Sequence, residues 1–413
     1  MRPFHNAPRL ILVLLLLTGI FGGCEGETGS VATLIPVPAG FGSAEPNLAT
    51  GPNGAVVLSW LEPIGEEVAL RYSVFADDRW SDAKTIAQGA NWFVNWADFP
   101  SVVPISGNLW AAHWLVRSSQ GTYSYDISIA ISQDAGETWG RPITPHTDGT
   151  RTEHGFVSLF PWQNSIGAVW LDGRNMTPGI HDAHGSSAAG MTLRSAVIAP
   201  TGELTAEHLV DELVCDCCQT DVALTENGPV AVYRDRTSAE IRDIYVARQQ
   251  NQIWAPGRPV AEDRWEISGC PVNGPAITAA GNRVGVAWFT AAQGHSRVRL
   301  AQSDDGGSTF SPALDIDAKH ALGRVDIATL SDGKMAVSWL RSVTASQGEF
   351  VVRLVSEDGT LGPVHVIAST STSRPSGFPQ MVRSGENLLL AWTHIAEDES
   401  SSRTARVSLA SLR

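Results

Sequence analysis

Residues 283–288 read Arg-Val-Gly-Val-Ala-Trp, and the stretch has six counterparts along the chain. AVVLSW ends at Trp60, LWAAHW at Trp114, SIGAVW at Trp170, PVAVY at Tyr233, KMAVSW at Trp339 and NLLLAW at Trp392. Successive aromatics lie 54, 56, 63, 55, 51 and 53 residues apart. Each run is short, apolar and closed by a ring, as befits a buried strand. Recurrence at this period marks one supersecondary unit laid down seven times.

The flanks of each run fill in the unit. A Gly/Asn turn precedes it, as in GPNG, ISGN, TENG, AAGN, LSDG and RSGE. Two more strand-like segments follow it, giving four short strands separated by turn signals. Antiparallel four-stranded sheets repeated radially make a β-propeller, so the sequence predicts an all-β, seven-bladed propeller. The seventh unit ends at Arg413 after its third strand. The segment VATLIPV at 31–37 is the expected fourth strand, closing the ring and leaving no bare sheet edge.

Ahead of the repeats, Arg2 and Arg9 introduce the apolar stretch Leu10–Ile20, too short to span a bilayer comfortably. It runs into Phe21-Gly22-Gly23-Cys24, which resembles a bacterial lipoprotein signal with Cys24 as the lipidated residue. An ordinary secretory signal cut nearby is the other reading. The expected organisation is a signal over residues 1–23, a tether over 24–30 and a single propeller over 31–413. This places the protein in the cell envelope, lipid-anchored to a bacterial membrane and facing the periplasm or exterior.

The chain carries 29 Lys and Arg against 43 Asp and Glu, a net charge of −14 that becomes −16 once Arg2 and Arg9 are removed. An acidic protein is a poor partner for nucleic acid or anionic headgroups, which leaves the anchor as its only membrane contact. A monomer is expected. Beyond Cys24 the cysteines are Cys215, Cys217, Cys218 and Cys270. An even number in an oxidising compartment favours disulfides, and a Cys217 or Cys218 bridge to Cys270 is the preferred reading. The alternative is a thiolate site for copper(I) or zinc built from Cys217, Cys218 and Cys270, with His154 as a further ligand. No cofactor is otherwise required.

Two stretches suggest a family. Ser132-Gln133-Asp134-Ala135-Gly136-Glu137-Thr138-Trp139 and Ser303-Asp304-Asp305-Gly306-Gly307-Ser308-Thr309-Phe310 resemble the Asp-box (BNR repeat) S-x-D-x-G-x-T-W/F of sialidases and related propellers. Trp80 and Trp254 occupy the aromatic position of degenerate copies. In that family the box is a structural turn. The resemblance implies a glycan-directed function, with exo-sialidase-like glycoside hydrolysis as the associated activity. The chain departs from the sialidase pattern in its seven blades, in Glu45-Pro46-Asn47 where an Arg-Ile-Pro motif would open the first blade, and in lacking an obvious tyrosine nucleophile.

Propeller geometry brings the loops entering the first strands, and those following the second, to one face. Fifteen or sixteen residues before the aromatics lie Glu45, Asp98, His154, Cys217, Cys218, Asn273 and Arg324. Two to four residues after them lie Glu62, Arg117, Asp172, Arg174, Asp235, Arg236, Arg341 and His394. Asp172-Gly173-Arg174 and Arg234-Asp235-Arg236 are the densest. Asp98, Asp172, Asp235 and Asp326 are the carboxyls positioned for glycosidic acid–base work, which needs two flanking the bond. Arg174, Arg236 and Arg324 suit an acidic sugar's carboxylate. His154 and Asn273 add hydrogen-bonding groups, while Trp92, Trp96 and Trp265 offer rings on which a sugar could stack. Arg–Asp ties between blades and rings plugging the seams would account for the same residues structurally. His181 and His184, in a Gly/Ser-rich loop of the third blade, belong to the same face. Three functions follow: a hydrolase or lyase on acidic glycans, a non-catalytic propeller binding a glycan or acidic small molecule (or a protein partner), and a metal or redox protein built on the cysteine cluster.

Overall fold

The computed structural model describes residues 31–176, 190–396 and 399–413. The signal segment, Cys24, the tether, His181 and His184 lie outside the described residues.

Seven antiparallel sheets succeed one another in chain order. Their innermost strands are Ala44–Thr50, Ser101–Pro104, His154–Trp162, Asp221–Thr225, Ala276–Ala280, Ala321–Thr329 and Gln380–Ser384, and they define blades 1 to 7. Each innermost strand touches the next, and that of blade 7 returns to blade 1. Together they line a central channel of about 400 Å³. Ala32–Ile35 pairs with Glu399–Ser408 in the register Ala32↔Val407 to Ile35↔Thr404, so the first strand completes the last blade as expected.

Blade 2 departs from four full strands. Its outer edge shrinks to a single bridge between Ile129 and Ile143. Pro142 and Pro145 flank that residue and bring no N–H to a ladder. In blade 4 the outer strand is likewise cut to Arg258–Pro259.

All seven repeat aromatics are buried, none more than 5% exposed. The apolar core is divided into seven wedges, one between each pair of neighbouring blades. Five of the seven ring tips find a carboxylate. Trp60 donates to Glu62, Trp170 to Asp172, Trp288 to Asp263, Trp339 to Asp317 and Tyr233 to Asp211, all at 2.6–2.9 Å. A buried indole N–H or phenol O–H is stabilised by such a partner, whereas Trp392 Nε1 has none among the described residues.

Both Asp-boxes close as turns. Asp134 Oδ1 accepts from Thr138 N at 2.9 Å and Ser132 Oγ accepts from Gly136 N at 2.8 Å, and Asp305 and Ser303 repeat the pattern. They sit at the far ends of the third strands, away from the mouth where the innermost strands begin. At that mouth the innermost strands of blades 1, 3 and 6 carry β-bulges, with Glu45, Phe156 and Arg324 at positive φ. Such a bulge re-aims side chains, which is why the residues counted at this register point into the seams and across the axis rather than along a regular pleat.

Candidate functional site: a charged arc at the propeller mouth

The predicted residues share one face but form four successive neighbourhoods around it. The first joins blades 2 and 3. Tyr125 Oη lies 2.9 Å from Asp98 Oδ2 and 2.6 Å from Glu153 Oε1, and Asp98 Oδ1 accepts from Phe156 N at 2.8 Å. Gly155 makes room, since a Cβ there would stand 2.0 Å from the Asp98 carboxylate. One phenolic proton cannot serve two carboxylates, so one acid must itself be protonated and donate to the phenol oxygen. Burial pushes the Glu153 carboxyl well above its ordinary range, with the charge of Asp98 adding to it. Burial also lifts Asp98 to about 7, against the pull of Phe156 N–H and Tyr125. Asp98 is therefore half of a buried proton-sharing unit. Neither Tyr125 nor Glu153 was picked out from the sequence, although Glu153 adjoins His154 at the counted register.

The second neighbourhood joins blade 3 to the third strand and the exit loop of blade 2. His154, fully buried, stacks on His146 with ring centres 3.7 Å apart. Asp126 Oδ1 lies 3.6 Å from His154 Nδ1, and Asp148 Oδ2 lies 3.2 Å from Nε2. Asp172, also fully buried, accepts Trp170 Nε1 and a two-point contact from Arg174 at 2.7 and 2.8 Å. Burial works against its charge, but the Arg174 hydrogen bonds prevail and hold Asp172 below the usual carboxylate range. Arg174 Nη2 and Arg194 Nη1 converge on Glu207 Oε1 at 2.8 and 2.9 Å. Both arginine side chains stay 17% exposed, and that of Glu207 24%.

In the third, at the entry to blades 4 and 5, Cys217 is bonded to Cys270, in keeping with the preferred reading of the sequence. Cys215 and Cys218 are buried thiols with sulfurs 3.5 Å apart. His154 lies with Asp126, Asp148 and Asp172 rather than among these sulfurs. Arg236 is engaged by Glu240 at 2.7 Å and Asp216 at 3.4 Å. Burial, with Asp211 next in effect, raises Asp235 to about 7.

The fourth spans blades 5 to 7. Arg324 donates to Ser376 Oγ, Gly377 O and Ser373 O, and it lies 4.9 Å from the Trp96 ring centre and 5.9 Å from that of Phe378. Asn273 Oδ1 accepts Arg324 N at 2.7 Å. Asp326 lines the channel, where Met381 N and Ile327 N donate to it. Burial raises its carboxyl to about 8. Trp96 stacks on Phe378 from across the ring, and Gln219 of blade 4 donates to Ala97 O. The axis at this pole is thus bridged by side chains, and Trp96 and Arg324 belong to the bridge. Trp92 stacks on Trp114, and Trp265 is buried beneath the guanidinium of Arg234, so both rings fill seams.

Two donor sets among the described residues have metal-ligand spacing with histidine, Asp126–His146–His154 and Asp148–His154–Asp172, and one with sulfur, Cys215–Cys217–Cys218. Arg174 lies 3.6 Å from Asp148 and 2.7 Å from Asp172, and Arg242 lies 3.3 Å from Cys215 Sγ. A cation already neutralises the Asp148–His154–Asp172 and sulfur sets.

These observations define a seven-bladed β-propeller with two Asp-box turns and a charged arc at its mouth. No family model and no curated protein matches the chain. A crystallised protein of unknown function from Dyadobacter fermentans is 13% identical with a TM-score of 0.51, over 91% of this chain and 97% of that one. The alpha-L-arabinanase of Penicillium chrysogenum, solved with arabinobiose, is 11% identical with a TM-score of 0.50, over 92% and 98%. Trypanosoma rangeli sialidase is 10% identical with a TM-score of 0.49, over 88% of this chain and 58% of its own. At these identities the likeness is one of fold.

Proposed function

We propose that the protein is an extracytoplasmic, Cys24-anchored propeller that recognises an acidic glycan at the rim of blade 3. The convergence of Arg174 and Arg194 on a single carboxylate oxygen carries this reading. Glu207 occupies the clamp in the free protein, standing where a sugar carboxylate or acidic small molecule would sit. Planar guanidiniums match that geometry, and partial exposure leaves the clamp reachable. The Cys217–Cys270 disulfide fits an oxidising compartment. Among the described residues no helix is long and apolar enough to cross a membrane.

Recognition without turnover is the reading the carboxyls favour. Asp98, Asp172 and Asp326 each satisfy buried N–H or O–H donors of the fold, and Asp235 is buried. Calorimetry with sialyllactose and a glucuronate-ended oligosaccharide, against lactose, tests the proposal. Binding of the acidic sugars is expected to weaken at least about tenfold in Arg174→Ala/Arg194→Ala, since a charge-assisted hydrogen bond contributes about 1.5–3 kcal/mol. Equal binding of lactose, or an unchanged affinity in the double variant, would sink it. Release of product from a fluorogenic sialoside would overturn the non-catalytic part alone.

A soft-metal centre of copper(I) or zinc is a second reading, favoured by the three sulfurs of Cys215, Cys217 and Cys218 lying within 4.8 Å of one another. It requires Cys217 to be released from Cys270 and Arg242 to give way. Metal analysis of the purified protein decides it.

A further inference from the structure

The four sulfurs are arranged in depth. Cys270 is exposed and Cys217 half-buried, so their bond lies at the surface where the loops entering blades 4 and 5 meet. Immediately behind it lie Cys215 and Cys218, 0% and 1% exposed. The sulfurs of Cys215, Cys217 and Cys218 are mutually within 4.8 Å, so the buried dithiol lies next to the inner sulfur of the surface disulfide. Solvent reaches the dithiol's neighbour but not the dithiol.

The surroundings favour thiolate. Arg242 Nη1 lies 3.3 Å from Cys215 Sγ and is held there by Glu240 at 2.8 Å. A guanidinium beside the dithiol favours the thiolate, the species that attacks disulfides.

We propose that the four cysteines form a thiol–disulfide relay, in which the buried Cys215–Cys218 dithiol exchanges with the surface Cys217–Cys270 disulfide and through Cys270 transfers electron pairs to disulfides outside. The Cys218 thiolate attacks Cys217 Sγ, breaking the Cys217–Cys270 bond and releasing the Cys270 thiolate. Cys215 loses its proton and attacks Cys218 Sγ, which expels the Cys217 thiolate and leaves a Cys215–Cys218 disulfide. One S–S bond is lost and one gained, and two protons move to the outer pair. The Cys270 thiolate then attacks an external disulfide RSSR, releasing RS⁻, and Cys217 resolves the mixed disulfide, releasing the second RS⁻. In sum, the inner dithiol and RSSR become the inner disulfide and two RSH. This activity is independent of what the arginine clamp binds.

The test uses the whole chain with glutathione disulfide as the external oxidant. Wild type is expected to present two free thiols on denaturation, to consume one equivalent of glutathione disulfide and to release two of glutathione. Differential alkylation with mass spectrometry should then find Cys215 and Cys218 newly oxidised. Cys215→Ala/Cys218→Ala, which keeps the surface disulfide, should consume none. In Cys217→Ser/Cys270→Ser the inner pair should oxidise at least about tenfold more slowly, because its route to the surface is gone. The relay is overturned if Cys215 and Cys218 remain reduced in wild type, if Cys215→Ala/Cys218→Ala consumes as much oxidant, or if the inner pair oxidises equally fast without the outer one. Stoichiometric copper or zinc on the thiols of the purified protein would overturn it as well.

Discussion

Replacing Tyr125 by phenylalanine is expected to destabilise the protein by about 2–4 kcal/mol, since two buried acids lose their shared partner and each unsatisfied polar group costs about 1–3 kcal/mol. The change removes one oxygen and opens almost no space, so a loss this large would report the hydrogen bonds to Asp98 and Glu153 and not a packing defect. Urea unfolding at pH 7 measures it, and a loss under about 0.5 kcal/mol would show that the trio contributes nothing. The same unit sets a pH dependence. Asp98 titrates at about 7 in the fold and burial holds Glu153 well above its ordinary range, so both exceed the value of about 4 of an unfolded carboxyl. The folded state therefore holds more protons than the unfolded chain between about pH 4 and 7. Its contribution is complete below pH 4 and is lost as pH rises through 7. Stability should fall from pH 5 to pH 8. Glu153→Gln, whose amide can still donate to the phenol oxygen, should fold normally and show a shallower slope. An unchanged slope in that variant would remove Glu153 from the account.

The repeat was legible because a propeller uses one aromatic column, and the column recurs in sequence at nearly constant spacing. The fourth strand was less so. At RPITPH, residues 141–146, the sequence resembles an outer strand, yet its two prolines reduce it to the Ile129–Ile143 bridge. The mouth could be located as a face for the same reason as the column. What each polar residue does there could not, because the same residue type serves two demands. Asp172, two residues after Trp170, has the look of an exposed acid, but a fully buried indole needs an acceptor at that point and Asp172 supplies it. Glu62, two residues after Trp60, does the same. Partners across a seam were hidden too, since Tyr125 meets Asp98 and Glu153 from different segments and the bulge at Phe156 sets that approach. Cys217 and Cys270 were readable as neighbours because each opens an adjacent blade. The buried placement of Cys215 and Cys218 depended on packing that spacing does not encode.

Arg234→Met is expected to be among the most damaging single changes in the fold, with a loss of about 3–5 kcal/mol, the range for breaking a buried, fully engaged charge site. Blades 4 and 5 share no β-ladder, so their seam depends on side chains. Arg234 is 2% exposed and donates to Asn273 O at 3.0 and 2.8 Å, to Phe289 O at 2.8 Å and to Arg242 O at 2.6 Å, with its guanidinium 4.9 Å from the Trp265 ring centre. Methionine matches the aliphatic stem and fills the space, yet it leaves three buried carbonyls without donors. Lysine keeps the charge as a single point and cannot reproduce a fork aimed at three oxygens, so Arg234→Lys should recover less than half of the loss. The guanidinium also helps hold the Cys218 thiol low. Arg234→Met should therefore slow the oxidation of Cys215 and Cys218 by glutathione disulfide at pH 7 in molecules that remain folded, whereas a residue serving only the seam would leave that rate unchanged. Urea unfolding and the pH profile of that oxidation separate the two roles. A variant within about 1 kcal/mol of wild type would mean that other contacts carry the seam.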